Sequence, residues 1–83
     1  MKREQIITEL ERLASVLGVN VRYEKMGILS GGLCRINDMM ILFINRALSP
    51  QSAIELIAAE LRMLPWDQHF IKPEVREILE QGI

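Results

Sequence analysis

The sequence predicts a small α+β domain in which helices rest against one three-stranded antiparallel sheet. Three observations carry this expectation. Apolar residues recur at helical spacing near the N-terminus, in the stretch after Ser49 and again after Pro73. Between the first two lie three short runs with the alternating or continuous apolar pattern of strands. Glycine, proline and one Asn-Asp pair separate the runs.

From Arg3 to Leu17, residues Ile6, Ile7, Leu10, Leu13, Ala14 and Leu17 share a helical face, while Glu4, Gln5, Glu9, Glu11 and Arg12 lie away from it. Gly18 follows the last apolar position, as a helix-ending glycine should. Val19, Val21 and Tyr23 then alternate with Asn20, Arg22 and Glu24, the period of a half-buried strand. Lys25 to Gly32 holds three glycines and reads as a flexible connection. Two further strands, Leu33 to Ile36 and Met39 to Asn45, flank Asn37-Asp38, residue types that tolerate the positive φ of a tight hairpin. The second of them is apolar almost throughout, as if covered on both faces. Ser49 is a candidate N-cap with Pro50 at the first helical position. The helix that follows, to Leu64, reads as long and apolar. Ile54, Leu56, Ile57, Leu61, Met63 and Leu64 cover most of its circumference, leaving Ser52, Glu55 and Arg62 as a polar stripe. Pro65 ends it, Trp66 to Ile71 forms a short element, and Pro73 opens a short C-terminal helix over Glu74 to Gln81. Acids in its first turn suit the helix dipole. No linker, repeat or low-complexity segment interrupts this order, so residues 1–83 read as a single domain.

Composition narrows the classes of function. A chain of 83 residues sits near the lower limit for folding without disulfides or metals, and 49% hydrophobic residues give it an ample core. A mean hydropathy of +0.15 is high for so small a domain. Some apolar surface is therefore expected to be covered by a protein partner or a second copy. The ten Lys and Arg residues are scattered from Lys2 to Arg76 and the net charge is −1, which argues against nucleic acid as a partner. A single cysteine forbids an intramolecular disulfide and fits a reducing compartment. The N-terminus enters an amphipathic helix containing acids, unlike a signal peptide. The run Met39 to Ile44 is too short to cross a bilayer. A cytoplasmic protein with no membrane partner is the expectation.

Few residues invite chemistry. Glu60 lies on the apolar side of its helix, about 120° from the polar stripe at roughly 100° per residue. A carboxylate there needs a partner or water, and Arg35 or Arg46, both beside apolar strand residues, are the candidates for a structural ion pair. Cys34 adjoins Arg35, and a nearby guanidinium favours the reactive thiolate. Neighbours in a strand point to opposite faces, however, and a small buried core residue is the simpler reading of Cys34. Gly31 and Gly32 permit close backbone approach, and Trp66 with His69 lies in an aromatic segment that either closes the core or forms a binding surface. One histidine cannot build a zinc site, so no metal and no cofactor are implied.

Taken together, Ile44-Asn45, Leu48-Ser49 and Glu60 give this stretch of about a third of the chain a likeness. It resembles the core of small zinc metallopeptidases that cleave phage-type repressors, in which a strand and a Leu-Ser corner lead into an H-E-x-x-H helix. The resemblance implies a zincin-like core with Glu60 in the place of the general base. Ala59 and Met63 stand where both zinc ligands would be, so it does not imply metal binding or proteolysis. The whole chain also resembles short bacterial proteins that share Leu17 to Arg22, the segment Gly31 to Arg35 and the tail Pro73 to Leu79; that likeness implies no activity. The expectation is a non-catalytic protein–protein interaction domain, acting as a homodimer through its apolar helix or strand surface. The alternative is a thiol-dependent enzyme or redox sensor using Cys34 with Arg35.

Overall fold

A computed structural model describes residues 1–81. The order is α1 (Arg3–Val16), β1 (Val19–Glu24), β2 (Gly31–Ile36), β3 (Met39–Asn45), α2 (Pro50–Leu61), a single 3₁₀ turn (Trp66–Gln68) and α3 (Pro73–Glu80). The fold is α+β, with three α-helices and a three-stranded sheet.

Local chemistry sets most boundaries. The Gln5 side chain accepts from the Lys2 N–H at the start of α1, 2.9 Å away, and Gly18 closes the helix at φ +81. Asn37 and Asp38 both take positive φ, 49° and 66°, and make the two-residue turn between β2 and β3. The Ser49 hydroxyl accepts from the Ser52 N–H at 3.2 Å, and Pro50 supplies the preset φ of the first turn.

The sheet is mixed, which corrects the antiparallel expectation. β3 is central: β2 pairs with it antiparallel, but β1 pairs with it parallel, with Val19 opposite Met40 and Glu24 opposite Asn45. The chain leaving β1 passes over the end of β3 before it returns as β2. Asn45 holds this crossover. Its side-chain amide donates to the carbonyls of Gly27 (3.0 Å) and Leu29 (2.7 Å), and its carbonyl accepts from the Ala47 N–H (3.0 Å). It is also the one polar residue among the described residues buried with the core, at 6% exposure.

The long apolar helix is likewise corrected. α2 has 12 residues and ends at Leu61. Met63 and Leu64 bond back to Glu60 and Leu61, the tighter three-residue spacing that closes a helix. Leu64 precedes Pro65, whose ring disfavours helical backbone before it. Gln51, Glu55 and Ala59 face solvent along α2. Arg62, expected in the solvent stripe, instead donates to the carbonyls of Ile78 (2.7 Å) and Leu79 (2.8 Å), and so satisfies the open end of α3.

Ile6, Leu10, Leu13 and Ala14 of α1, Ala53, Ile54, Ile57, Ala58 and Leu61 of α2, and Val75 and Leu79 of α3 form one core with Val19, Leu42 and Ile44 of the sheet. Val21, Leu33 and Met40 pack against it. These strand residues alternate, so the helices cover one face of the sheet only. On the other face of β3, Met39 is exposed and Phe43 half-buried, and Ile41 is buried without joining the main core cluster, contrary to a strand covered on both sides. No helix among the described residues is long and apolar enough to cross a membrane.

Candidate functional site

The uncovered side of the sheet and the border between β2 and α2 hold most of the residues singled out by sequence. Ile36 and Met39, opposite one another across the hairpin, are about half exposed at 47% and 52%. Ile41, between its cross-strand neighbours Asn20 and Cys34, is buried. Arg22 lies over the Phe43 ring, 5.8 Å from its centroid, and pairs with Glu24 at 2.8 Å. This is an apolar row with a charged rim along β1.

The two edges of the sheet differ. Asn45 N–H donates to the Ser30 carbonyl (2.8 Å) and Arg46 N–H to the Glu24 carbonyl (2.8 Å). With the observed register, odd residues of β3 therefore bond to β2 and even residues to β1. It follows that Gly31, Leu33 and Arg35 turn their backbone N–H and C=O groups outward from β2, and Val19, Val21 and Tyr23 do so from β1. The β1 edge is partly closed, because the Arg46 guanidinium donates to the Tyr23 carbonyl at 3.2 Å. Among the described residues the β2 edge carries no such plug, and it has no proline or lysine.

Gly31 and Gly32, read as a loop from sequence, begin β2. A Cβ on Gly31 would stand 2.0 Å from the Phe43 carbonyl oxygen and 3.1 Å from Leu56 Cδ2, and Gly31 has φ +135. The glycine lets α2 and β3 close on this edge. A Cβ on Gly32 would stand 3.7 Å from Glu60 Oε1, so the carboxylate lies beside the β2 edge. Glu60 is half-buried. The expected ion pair with Arg35 or Arg46 does not form within the chain: Arg46 is turned to the Tyr23 carbonyl, and Arg35 is exposed without an acidic partner among the described residues.

Cys34 is exposed rather than buried, because its strand position faces the side that no helix covers. Trp66 packs on the core and is overlaid by Arg76 at 5.3 Å, so it closes the core. His69 and the 89%-exposed Phe70 border a shallow groove against Glu9, Arg12, Leu13 and Val16 of α1. Among the described residues no hydrogen bond or ion pair joins them to Glu60 or Cys34. No group of three or more His, Cys, Asp and Glu among the described residues is placed to hold a metal ion.

Sequence reasoning missed the roles of Asn45, Arg62 and Tyr23. Tyr23 lies on the core-side row of β1, and its hydroxyl donates to the Glu11 carboxylate of α1. Burial, then that hydrogen bond, then the carboxylate's charge push the phenol's pKa well above its ordinary value near 10. A raised pKa means that the folded state holds the proton more tightly than the unfolded chain. The contribution is present below about pH 10 and is lost as pH rises from there toward the folded value. Thermal melts between pH 8 and 11 are expected to show a fall in Tm at the alkaline end that Tyr23→Phe flattens. An unchanged slope in the variant would place the alkaline loss elsewhere.

Set against known protein families, curated proteins and solved structures, the chain matches none.

Proposed function

We propose that the chain is a non-catalytic protein–protein interaction domain that works as a homodimer through the side of its sheet left bare by the helices. The observation that carries this reading is the asymmetry of the sheet. One face is sealed by α1 and α2, while the other keeps Ile36 and Met39 exposed beside an open β2 edge. Exposed apolar rows beside unpaired strand edges favour association. A degenerate zincin-like plan belongs to the same reading. In support, β3 runs through Asn45 and the Ser49 cap into α2, Glu60 is half-buried there, and Ala59 and Met63 are exposed at the positions where zinc ligands would sit.

Native mass spectrometry of gently purified protein tests the proposal. The expected result is a dimer with no added small mass. A monomer at every concentration, or one carrying a metal or small ligand, overturns it. The exposure of Cys34 favours a thiol-based role as the second reading. Cys34→Ser separates the two, since an interaction domain keeps its assembly without the thiol.

A further inference from the structure

We propose that two copies of the chain join edge to edge along β2, antiparallel, with Arg35 of each copy meeting Glu60 of the other. This rests on the homodimer reading and moves its contact from the bare face itself to the β2 edge that borders it.

Of the two sheet edges, β1 is plugged at the Tyr23 carbonyl by Arg46, whereas no hydrogen bond among the described residues takes the outward backbone groups of β2. Its outward groups belong to alternate residues, Gly31, Leu33 and Arg35, so a symmetric antiparallel partner must pair these positions with one another. A two-fold axis at Leu33 brings all of them into hydrogen-bonded pairs. Leu33 then faces its own copy and Arg35 faces the partner's Gly31. An axis at Cys34 would engage only Leu33 and Arg35 and would set the arginine against the partner's Leu33.

The first register is also the one that charge selects. Glu60 is a half-buried carboxylate and Arg35 an exposed guanidinium, and neither has an oppositely charged partner among the described residues. Within one chain they do not pair. Across the junction, Arg35 arrives opposite a residue with no side chain, next to the glycine whose Cβ position is 3.7 Å from Glu60 Oε1. Gly32 puts no side chain between the arginine and Glu60, and the two-fold makes the contact twice. Leu56 and Glu60, one helical turn apart, both look onto β2. A foreign extended peptide would accept the same backbone hydrogen bonds but would bring no arginine fixed in register with Glu60.

Sedimentation velocity on the full chain, with circular dichroism to verify folding, tests this. Arg35→Glu and Glu60→Arg are each expected to raise the dimer dissociation constant more than about tenfold. The double swap in one chain should restore association. Arg35→Pro removes an N–H that points outward and makes no bond within the chain, so the fold persists and the dimer separates. A wild-type dimer that ignores Arg35→Glu and Arg35→Pro overturns the edge pairing while leaving a homodimer standing. A wild-type monomer at the highest soluble concentration overturns both. Folded, monomeric single variants that the double swap fails to rescue overturn the Arg35–Glu60 contact.

Discussion

Gly31→Ala is expected to cost more than about 3 kcal/mol, enough to unfold much of the population of so small a domain. Two penalties act at one atom. The φ of +135 is a backbone conformation that side chains rarely adopt. The added carbon would also stand 2.0 Å from the Phe43 carbonyl oxygen, a backbone atom of the central strand that cannot swing aside. Relief requires β2 to lift away from β3, which breaks the hairpin ladder and withdraws Leu33 from the core. Gly27→Ala is the matched control. Its φ is also positive, +59, but nothing lies within 4 Å of the new carbon, so the expected cost is about 1 kcal/mol. Urea denaturation of the two variants side by side measures the difference. Equal losses would mean that the contact with Phe43 contributes nothing.

Asn45→Ala is expected to destabilise by about 2–4 kcal/mol. The side chain is nearly buried and makes three hydrogen bonds, two given to crossover carbonyls and one taken from the Ala47 N–H. Alanine leaves the carbonyls of Gly27 and Leu29 and the amide of Ala47 without those partners. Asn45→Asp should cost at least as much, because an ionised carboxylate has no proton to give and faces two carbonyl oxygens. Hydrogen exchange localises the effect. Opening should accelerate most at the amides of Leu29 and Asn45, which bond within and beside the crossover. Uniform acceleration over the whole chain would show global destabilisation with no role in holding the connection.

The elements that were legible in the sequence are those whose cause is local. The 3.6-residue spacing of Ile6, Leu10, Leu13 and Ala14, the turn at Asn37-Asp38, the Ser49 cap and the Pro73 start each depend on residues within a few positions of one another. What failed depended on neighbours far along the chain. The alternation of Val19, Val21 and Tyr23 shows which way side chains point but does not show which strand lies alongside, and the parallel pairing with β3 is a long-range choice. Gly31 and Gly32 read as loop because glycine is a poor strand former; the reason for it, the Phe43 carbonyl and Leu56 pressing close, exists only in the folded state. The continuous apolar pattern from Met39 to Ile44 suggested cover on both sides, whereas part of that pattern meets cross-strand neighbours and solvent. In the candidate site, the same limit applies. Glu60, Arg35 and Cys34 were identifiable as unusual, but their exposure and the lack of an internal ion pair follow from sheet order.

The position of β3 between its two predecessors has a consequence for how the chain is made. β1 and β2 share no hydrogen bonds with each other; both bind β3 alone. A chain synthesised from its N-terminus therefore emerges from the ribosome carrying two strands that are not partners in the finished sheet, and neither has its native partner until Met39 to Asn45 appears. The hairpin with β2 then closes over a two-residue turn, while β1 must be recruited across a wider gap and brings α1 with it. The most apolar strand is thus the last of the three to be made, and it spends the least time in water before both of its edges are taken.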